Sequence, residues 1–176
     1  MDLLKKIRTI PNFPKEGIEF FDITSVLKEP EAFKETIDRM YDALKDVPFD
    51  VFVALEARGF VFAAPLAIKM GKSLALVRKK GKLPGETISA SYSLEYGTAE
   101  IEMHTDSVEK GQKVVIIDDL LATGGTVNAA MELVEKSGGS VSACAFLIEL
   151  IGLGGRELLM QKCNNIISLV TAEENL

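Results

Sequence analysis

Short apolar runs of strand length alternate along this chain with segments of helical periodicity. The clearest helix is predicted at 30–46, where apolar residues recur every three or four positions behind Pro30. Strands are predicted at 50–56, 73–79, 113–119, 140–150 and 166–170, and further helices at 59–71, 126–139 and 154–163. This alternation predicts βαβ units, and therefore an α/β fold whose mostly parallel sheet is covered by helices on both faces.

Two segments depart from the alternation. Residues 88–103 form two arms of alternating polarity around Glu95, Tyr96 and Gly97, a pattern typical of a β-hairpin that projects from the sheet as a flap or an edge. The first 29 residues are rich in turn-forming residues and are predicted to be irregular. At 176 residues, the chain is expected to form a single domain, 1–176.

Charge and composition exclude several classes of function. A net charge of −6 argues against general nucleic-acid binding, which depends on neutralising phosphates. One basic cluster, at 78–82, suits either a small anionic ligand or a solvated loop. No apolar run approaches the ~18 residues of a membrane span, and the N-terminus lacks the features of a signal peptide. The two cysteines, Cys144 and Cys163, form no CxxC motif, and a reducing cytosol fits them best.

Two adjacent carboxylates, Asp118 and Asp119, end the apolar strand predicted at 113–119. In an open α/β sheet, ligands bind beyond the carboxyl ends of the strands, where such a pair can accept hydrogen bonds from neighbouring hydroxyls, as on a ribose. A short loop at 120–123 follows, and then Gly124 and Gly125, which let backbone N–H groups approach an anion closely. The combination predicts a ribose 5-phosphate site.

Other phosphate-binding motifs fit this stretch less well. A Walker A loop requires a lysine after its glycines, and none follows here. A dinucleotide fingerprint starting at Gly152 and Gly154 would need a third glycine where the chain has Glu157. The structural alternative is a helix that the aspartates cap, but two acids, two threonines and two glycines together favour the phosphate site.

The stretch at 114–126, VVIIDDLLATGGT, resembles the phosphoribosyl pyrophosphate (PRPP) signature of the type I phosphoribosyltransferases. The stretches FPKEGIEFFDIT, EARGF, RKKGKLPG, ASYSLEYG and the C-terminal FLIEL…LGGRELL resemble the branch of that family that acts on adenine. The resemblance covers essentially the whole chain. It implies the type I phosphoribosyltransferase fold, a central mostly parallel sheet with helices on both faces and a β-hairpin flap, the hood, at 83–105.

This resemblance implies transfer of the 5-phosphoribosyl group from PRPP to adenine, which gives AMP and pyrophosphate. Asp118 and Asp119 would bind the ribose hydroxyls. The 5-phosphate would lie on Ala122, Thr123, Gly124, Gly125 and Thr126. The cofactor would be Mg²⁺, held mainly by PRPP with no protein ligand assigned, and the partners would include a second subunit in a cytoplasmic homodimer.

The pyrophosphate is assigned by resemblance to EARGF and RKKGKLPG. In the first, Ala57 and the catalytic Arg58 would contact it, beside a cis peptide at Glu56–Ala57 or Ala57–Arg58. In the second, the contacts would come from Arg78, Lys79 and Lys82, partly across the dimer interface. Lys80 stands where some relatives carry arginine, and its role is open. For His104, the only histidine, contact with phosphate oxygens and a structural role both stay open.

The hood and the N-terminal segment 1–29 would complete the site. Glu95 matches the acid that handles the proton of the base, and Tyr96 lies at the tip of the hood. In FPKEGIEFFD, Phe20 would stack on adenine, while the main chain of Glu19 and Phe21 would meet the edge of the base. The side chain of Phe21 fits a core position equally well.

Two rival functions stay open on the sequence. The same transfer to hypoxanthine, guanine or xanthine would need a hydrogen-bond donor opposite the 6-oxo group, and recognition through the backbone conceals that choice. A non-catalytic PRPP sensor would share the fold, because fold alone does not fix function.

Overall fold

The computed structural model describes residues 1–94 and 96–173. Its strands are β1 (Arg8–Pro11), β2 (Glu19–Asp22), β3 (Val51–Leu55), β4 (Ser73–Lys79), β5 (Thr87–Leu94), β6 (Gly97–His104), β7 (Lys113–Leu121), β8 (Ser140–Ile151) and β9 (Ile166–Glu173). Its α-helices are α1 (Thr24–Lys28), α2 (Pro30–Leu44), α3 (Arg58–Met70), α4 (Gly125–Lys136) and α5 (Gly155–Met160). Among these described residues, no helix is both long enough and apolar enough to cross a membrane.

Within the described residues, seven strands form the central sheet in the order β5-β6-β4-β3-β7-β8-β9. Neighbouring strands from β4 to β9 run parallel. The β5–β6 hairpin is antiparallel and forms one edge of the sheet, where β6 pairs with the end of β4. The predicted α/β class, the mostly parallel sheet and the hairpin at its edge are therefore confirmed.

The sheet separates two apolar cores. Along β7, Val115 and Ile117 pack on the side of α2 and α3, whereas Val114 and Ile116 pack on the side of α4. All four side chains are fully buried. A strand buried on both faces reads as a continuous apolar run, which is why this segment shows no polar alternation.

The strand β7 runs two residues beyond its predicted end. Its parallel register with β8 continues through Leu121, which pairs with Glu149, so Leu120 and Leu121 belong to the strand. The loop predicted at 120–123 was therefore wrong, and the connection to α4 is only 122–124. The long neighbour β8 causes the extension, because it supplies hydrogen-bonding partners that the sequence of β7 does not reveal.

The N-terminal segment is ordered as a small hairpin, so the prediction of an irregular segment was wrong. β1 and β2 pair antiparallel from Arg8 opposite Asp22 to Pro11 opposite Glu19. Each strand has only four residues, too few for a clear alternating pattern. In the turn, Gly17 takes a φ of 85° and its N–H donates to the side chain of Asn12 at 2.9 Å.

Asp22 fastens this hairpin to α1. Its carboxylate accepts the hydroxyl of Thr24 at 2.6 Å and forms an ion pair with Arg8 across the hairpin. These contacts lower the pKa of Asp22 to about 2. Because the folded-state pKa is depressed, the stabilisation is fully present above pH ~3.8 and is lost as the pH falls through ~2.

We expect Asp22→Asn to reduce the free energy of unfolding by about 1–2 kcal/mol at pH 7, a value discounted for the exposure of Arg8. The difference from the wild type should close between about pH 4 and pH 2, as measured by urea unfolding at each pH. Asp46→Asn, at an exposed site, is the control and should stay within about 0.5 kcal/mol of the wild type. A difference that persisted at pH 2 would show that the charge of Asp22 is not its source.

Candidate active site

The loop between β7 and α4 lines a cavity of about 180 Å³. Asp118 lines this cavity together with Ala122, Thr123 and Gly124 of the loop and Thr126 in the first turn of α4. Residues 122–126 are called the phosphate loop, after the ligand predicted for them. Gly124 takes a φ of 83°, a conformation that only glycine adopts readily, and this turn starts α4 at Gly125. Backbone N–H groups at the start of such a helix have no intrahelical partner and favour an anion.

The two aspartates are held by different partners. Asp119 is only 4% exposed, and its Oδ2 accepts the Nε–H of Arg58 at 2.6 Å. Asp118 accepts the backbone N–H of Asp119 at 2.8 Å and faces the cavity. Burial and the neighbouring charge of Asp119 raise the pKa of Asp118 well above the usual value of an aspartate. The site therefore holds one ion-paired carboxylate and one whose proton affinity is high.

A glycine brings Arg58 to the aspartates. A Cβ atom on Gly59 would lie 2.7 Å from the carbonyl oxygen of Ile117, so the start of α3 packs directly against the backbone of β7. The peptide bond between Glu56 and Ala57 is cis, as the first of the two predicted alternatives had it, and Ala57 precedes α3 as its N-cap. This turn places Arg58 opposite Asp119, although the two residues lie 61 positions apart.

Glu56 connects the basic cluster at 78–82 to the same site. The carboxylate of Glu56 accepts the Nη2–H of Arg78 at 3.1 Å and the backbone N–H of Lys79 at 2.7 Å. A small cavity of about 30 Å³ brings these three residues together with Thr126 of the phosphate loop. The Nε atom of Arg78 is buried and, within the part of the chain that the structure describes, has no hydrogen-bond partner. Arg78 and Lys79 therefore lie beside the phosphate loop.

The other basic residues are tied to the hairpin or exposed. Lys80 forms an ion pair with Glu100 of β6 at 2.7 Å, a contact that the sequence did not predict. Lys82 is exposed in the turn that follows β4. The Nε2 atom of His104 lies 2.7 Å from the carbonyl oxygen of Pro84, so the histidine contacts the connection between β4 and β5.

The residues predicted for base binding divide between the two faces of β2. Phe20 packs edge-on against Phe13, with ring centroids 5.1 Å apart, and the guanidinium of Arg58 lies 6.0 Å from its ring. Phe20 is therefore joined through Arg58 to the aspartates. Phe21 points the other way into the apolar core and is 7% exposed, which favours the core alternative for its side chain. Glu19 lines a surface cavity on the same side as Phe21.

The hood reaches the phosphate loop through one arm. Tyr92 of β5 lines the small cavity with Thr126, and its Cδ2 atom would lie 3.8 Å from a Cβ atom on Gly125. Tyr96 at the tip is 86% exposed. Glu95, the predicted acid, lies outside the described residues.

Sequence reasoning missed several residues that position the site. A Cβ atom on Gly155 would lie 2.2 Å from the carbonyl oxygen of Ala122, so the start of α5 packs against the phosphate loop. Glu149 anchors that helix by accepting Nε–H of Arg156 at 2.9 Å. The sequence signals for these contacts were the pair of glycines that precedes Arg156 and the resemblance of FLIEL…LGGRELL, to which no role was assigned. Tyr92, Glu56 and Glu102 were also missed, because their partners lie far away in sequence.

The chain is similar to known proteins over most of its length. A family model, the phosphoribosyl transferase domain, matches residues 22–167. An adenine phosphoribosyltransferase of Thermosipho melanesiensis is 56% identical over 171 residues, which cover 97% of each chain. One from Caldicellulosiruptor bescii is 53% identical over 100% of this chain and 99% of its own.

Solved structures show the same likeness in three dimensions. The crystal structure of adenine phosphoribosyltransferase from Thermoanaerobacter pseudethanolicus superimposes with a TM-score of 0.93 at 51% identity, covering 97% of this chain and 98% of that one. The Saccharomyces cerevisiae enzyme, complexed with an imino-altritol bisphosphate and adenine, gives a TM-score of 0.86 at 38% identity, with 94% of each chain covered. With a family model over most of its length and relatives more than half identical in sequence, the chain belongs to the phosphoribosyltransferase family.

Proposed function

We propose that the protein transfers the 5-phosphoribosyl group of PRPP to adenine, giving AMP and pyrophosphate. The observation that carries the proposal is the group formed by Asp118, Asp119 and Arg58 beside the cavity of the phosphate loop. The names of the relatives support adenine as the base.

Each part of the site has a place in this reaction. Loop 122–126 would hold the 5-phosphate on its backbone N–H groups, and the aspartates would accept hydrogen bonds from the ribose hydroxyls. As the bond from C1 of the ribose to pyrophosphate breaks, positive charge develops on the sugar, and fixed carboxylates stabilise it. Nitrogen N9 of adenine then forms the new bond to C1 and gives up its proton, which Glu95 is proposed to accept.

The pyrophosphate would leave toward the basic residues. Arg58, Arg78 and Lys79 supply cationic donors, and an arginine matches phosphate oxygens with two parallel hydrogen bonds. The buried Nε atom of Arg78, unpaired within the described residues, is a donor available to such an oxygen. Lys82 lies in the connection between β4 and β5, and His104 of β6 contacts that connection at Pro84, so both would extend this surface. Phe20, beside Arg58, would stack on the base.

The donor chemistry of the site fits Mg²⁺. This ion prefers one or two carboxylates together with the oxygens of a substrate phosphate, and Asp118 offers hard oxygen atoms at the cavity. Asp118, together with the oxygens of PRPP, would hold the ion. When bound, magnesium would neutralise charge on the pyrophosphate and make it a better leaving group.

We also propose that the protein is a cytoplasmic homodimer. Two large apolar side chains, Ile68 on α3 and Leu76 on β4, are 86% and 37% exposed. Helix α3 begins within EARGF, and strand β4 ends within RKKGKLPG. A second subunit that covered Ile68 and Leu76 would bury both side chains. The free, buried thiols of Cys144 and Cys163 fit a reducing compartment.

The deciding experiment is product formation with PRPP, Mg²⁺ and adenine, hypoxanthine, guanine or xanthine in separate reactions, followed by chromatography of the nucleotides. We expect AMP from adenine and at least about a hundredfold slower formation of the 6-oxopurine nucleotides, because a donor and an acceptor exchange places at position 6 of the ring. A 6-oxopurine nucleotide as the main product would keep the PRPP site and overturn the base assignment. PRPP binding without any product would favour the sensor.

A further inference from the structure

The second arm of the hood lies along the basic stretch. On β6, the alternate residues Glu100, Glu102 and His104 each contact the connection between β4 and β5. Side chains at alternate positions of a strand share one face, so these contacts form a row. The row touches the stretch 80–84, which directly follows Arg78 and Lys79.

Glu102 is the buried member of that row. It is 5% exposed, and its Oε1 accepts the backbone N–H of Gly81 at 3.1 Å and that of Leu83 at 2.9 Å. Its Oε2 accepts the hydroxyl of Thr87 at 3.3 Å. A buried carboxylate that accepts three hydrogen bonds fixes the positions of its donors, because each donor would otherwise be desolvated without a partner.

The position of Glu102 in the sheet connects it to the basic residues proposed to bind pyrophosphate. Glu102 lies directly opposite Arg78 in the β4–β6 register and opposite Ser89 in the β5–β6 register. Thus the same residue shapes the turn that carries Lys82 and aligns the strand that ends in Arg78 and Lys79. Among the described contacts no cationic side chain forms an ion pair with Glu102, although its charge helps to raise the pKa of Lys80. Its hydrogen bonds to Gly81 and Leu83 act on the backbone of the turn that carries Lys82.

We propose that Glu102 is a positioning residue for pyrophosphate: it fixes the end of β4 and the turn that follows it against β6, so that Arg78, Lys79 and Lys82 meet PRPP in one geometry. This inference rests on the proposed function. It joins the hood to the segment that carries Arg78, Lys79 and Lys82, because the carboxylate that shapes the turn belongs to β6, the second arm of the hood.

Three substitutions separate geometry from charge. Glu102→Gln keeps an acceptor at the length needed for Gly81 and Leu83, and its amide can donate to Thr87. Glu102→Asp keeps the charge but is one methylene shorter, so it cannot reach the same donors. Glu102→Ala removes the acceptor. The control is Glu100→Gln, on the same face of β6, where the carboxylate pairs only with the exposed Lys80 among the described contacts.

We expect the KM for PRPP to rise about tenfold in Glu102→Ala and Glu102→Asp, while the KM for adenine stays within about twofold. Glu102→Gln should remain within about threefold of the wild type, and Glu100→Gln within about twofold. An unchanged KM for PRPP in the alanine variant would overturn the proposal. So would a glutamine variant as impaired as the aspartate variant, because charge rather than geometry would then matter.

Two arrangements keep the test decisive. If Glu102→Ala fails to fold, the comparison of the aspartate and glutamine variants decides alone, since both retain a polar side chain. If the wild type forms no nucleotide with any base, the proposed function fails; calorimetric binding of PRPP to the same variants then tests Glu102 separately, with the same expected ratios.

Discussion

Replacing Asp118 and Asp119 together with asparagine is expected to lower kcat/KM for PRPP by at least about a thousandfold. Each substitution would weaken a hydrogen bond to a ribose hydroxyl, worth about 1.5–3 kcal/mol when it is charge-assisted, and the developing positive charge on the sugar would lose the negative charge of the pair. Arg58 would also lose the anionic partner that holds it at 2.6 Å. Steady-state kinetics with PRPP varied at saturating adenine measures the effect.

The thermal stability of the Asp118→Asn variant is expected to stay the same or rise, in contrast to its activity. Because burial and Asp119 raise the pKa of Asp118, the ionised form of Asp118 is unfavourable in the folded protein, and its neutral replacement relieves that cost. Asp118→Asn alone should therefore keep or raise the midpoint of thermal unfolding at pH 7 while activity falls. The control is Asp50→Asn, at the opposite end of the same strands, where the carboxylate accepts the backbone N–H of Lys113 at 2.8 Å. If the double variant kept wild-type turnover, the ribose assignment would be wrong.

Replacing Gly155 with alanine is expected to displace the phosphate loop, because α5 packs against it. The added Cβ atom would lie 2.2 Å from the carbonyl oxygen of Ala122 and 3.0 Å from Leu121, so either the loop or α5 must shift. We expect a loss of about 2–3 kcal/mol in the free energy of unfolding and a rise of about ten- to a hundredfold in the KM for PRPP. Urea unfolding and initial rates measure the two effects.

Gly152→Ala is the matched control in the same connection between β8 and α5. Gly152 has a φ of 91°, but an added Cβ atom there meets nothing within 4 Å. This variant should cost about 1–2 kcal/mol of backbone strain while the KM for PRPP stays near the wild-type value. Equal KM values for the two alanine variants would contradict the assignment of Gly155 as a support of the loop.

Most of the framework could be predicted from local sequence. The runs that became β3, β4 and β7, and the amphipathic helix α2, have periodicities that depend on nearby residues alone. The candidate phosphate loop could be proposed from local sequence because its glycines and threonines are contiguous, although the first two residues of the loop predicted at 120–123 belong to β7. The N-terminal hairpin was missed because β1 and β2 stabilise each other across a turn and neither is long enough to show a pattern.

The positioning contacts could not be predicted in the same way. Glu56 with Arg78, Arg58 with Asp119 and Glu102 with Gly81 join residues 21 to 61 positions apart. Such pairs form only once the sheet order is set, and nothing in the local sequence of either partner specifies the other. The resemblance assigned roles to the residues expected to contact the ligands and not to the residues that support them.

The division of the apolar residues between two faces of the sheet has a consequence for how this chain can change over time. Val115 and Val114 are neighbours in β7, yet their side chains belong to separate cores. Substitutions on opposite faces share no packing partners, so their energetic effects should be close to additive. Each core can therefore accumulate compensating substitutions independently of the other. The backbone hydrogen bonds of the sheet between the two cores keep the ends of the strands, and the loops of the candidate site that follow them, in place.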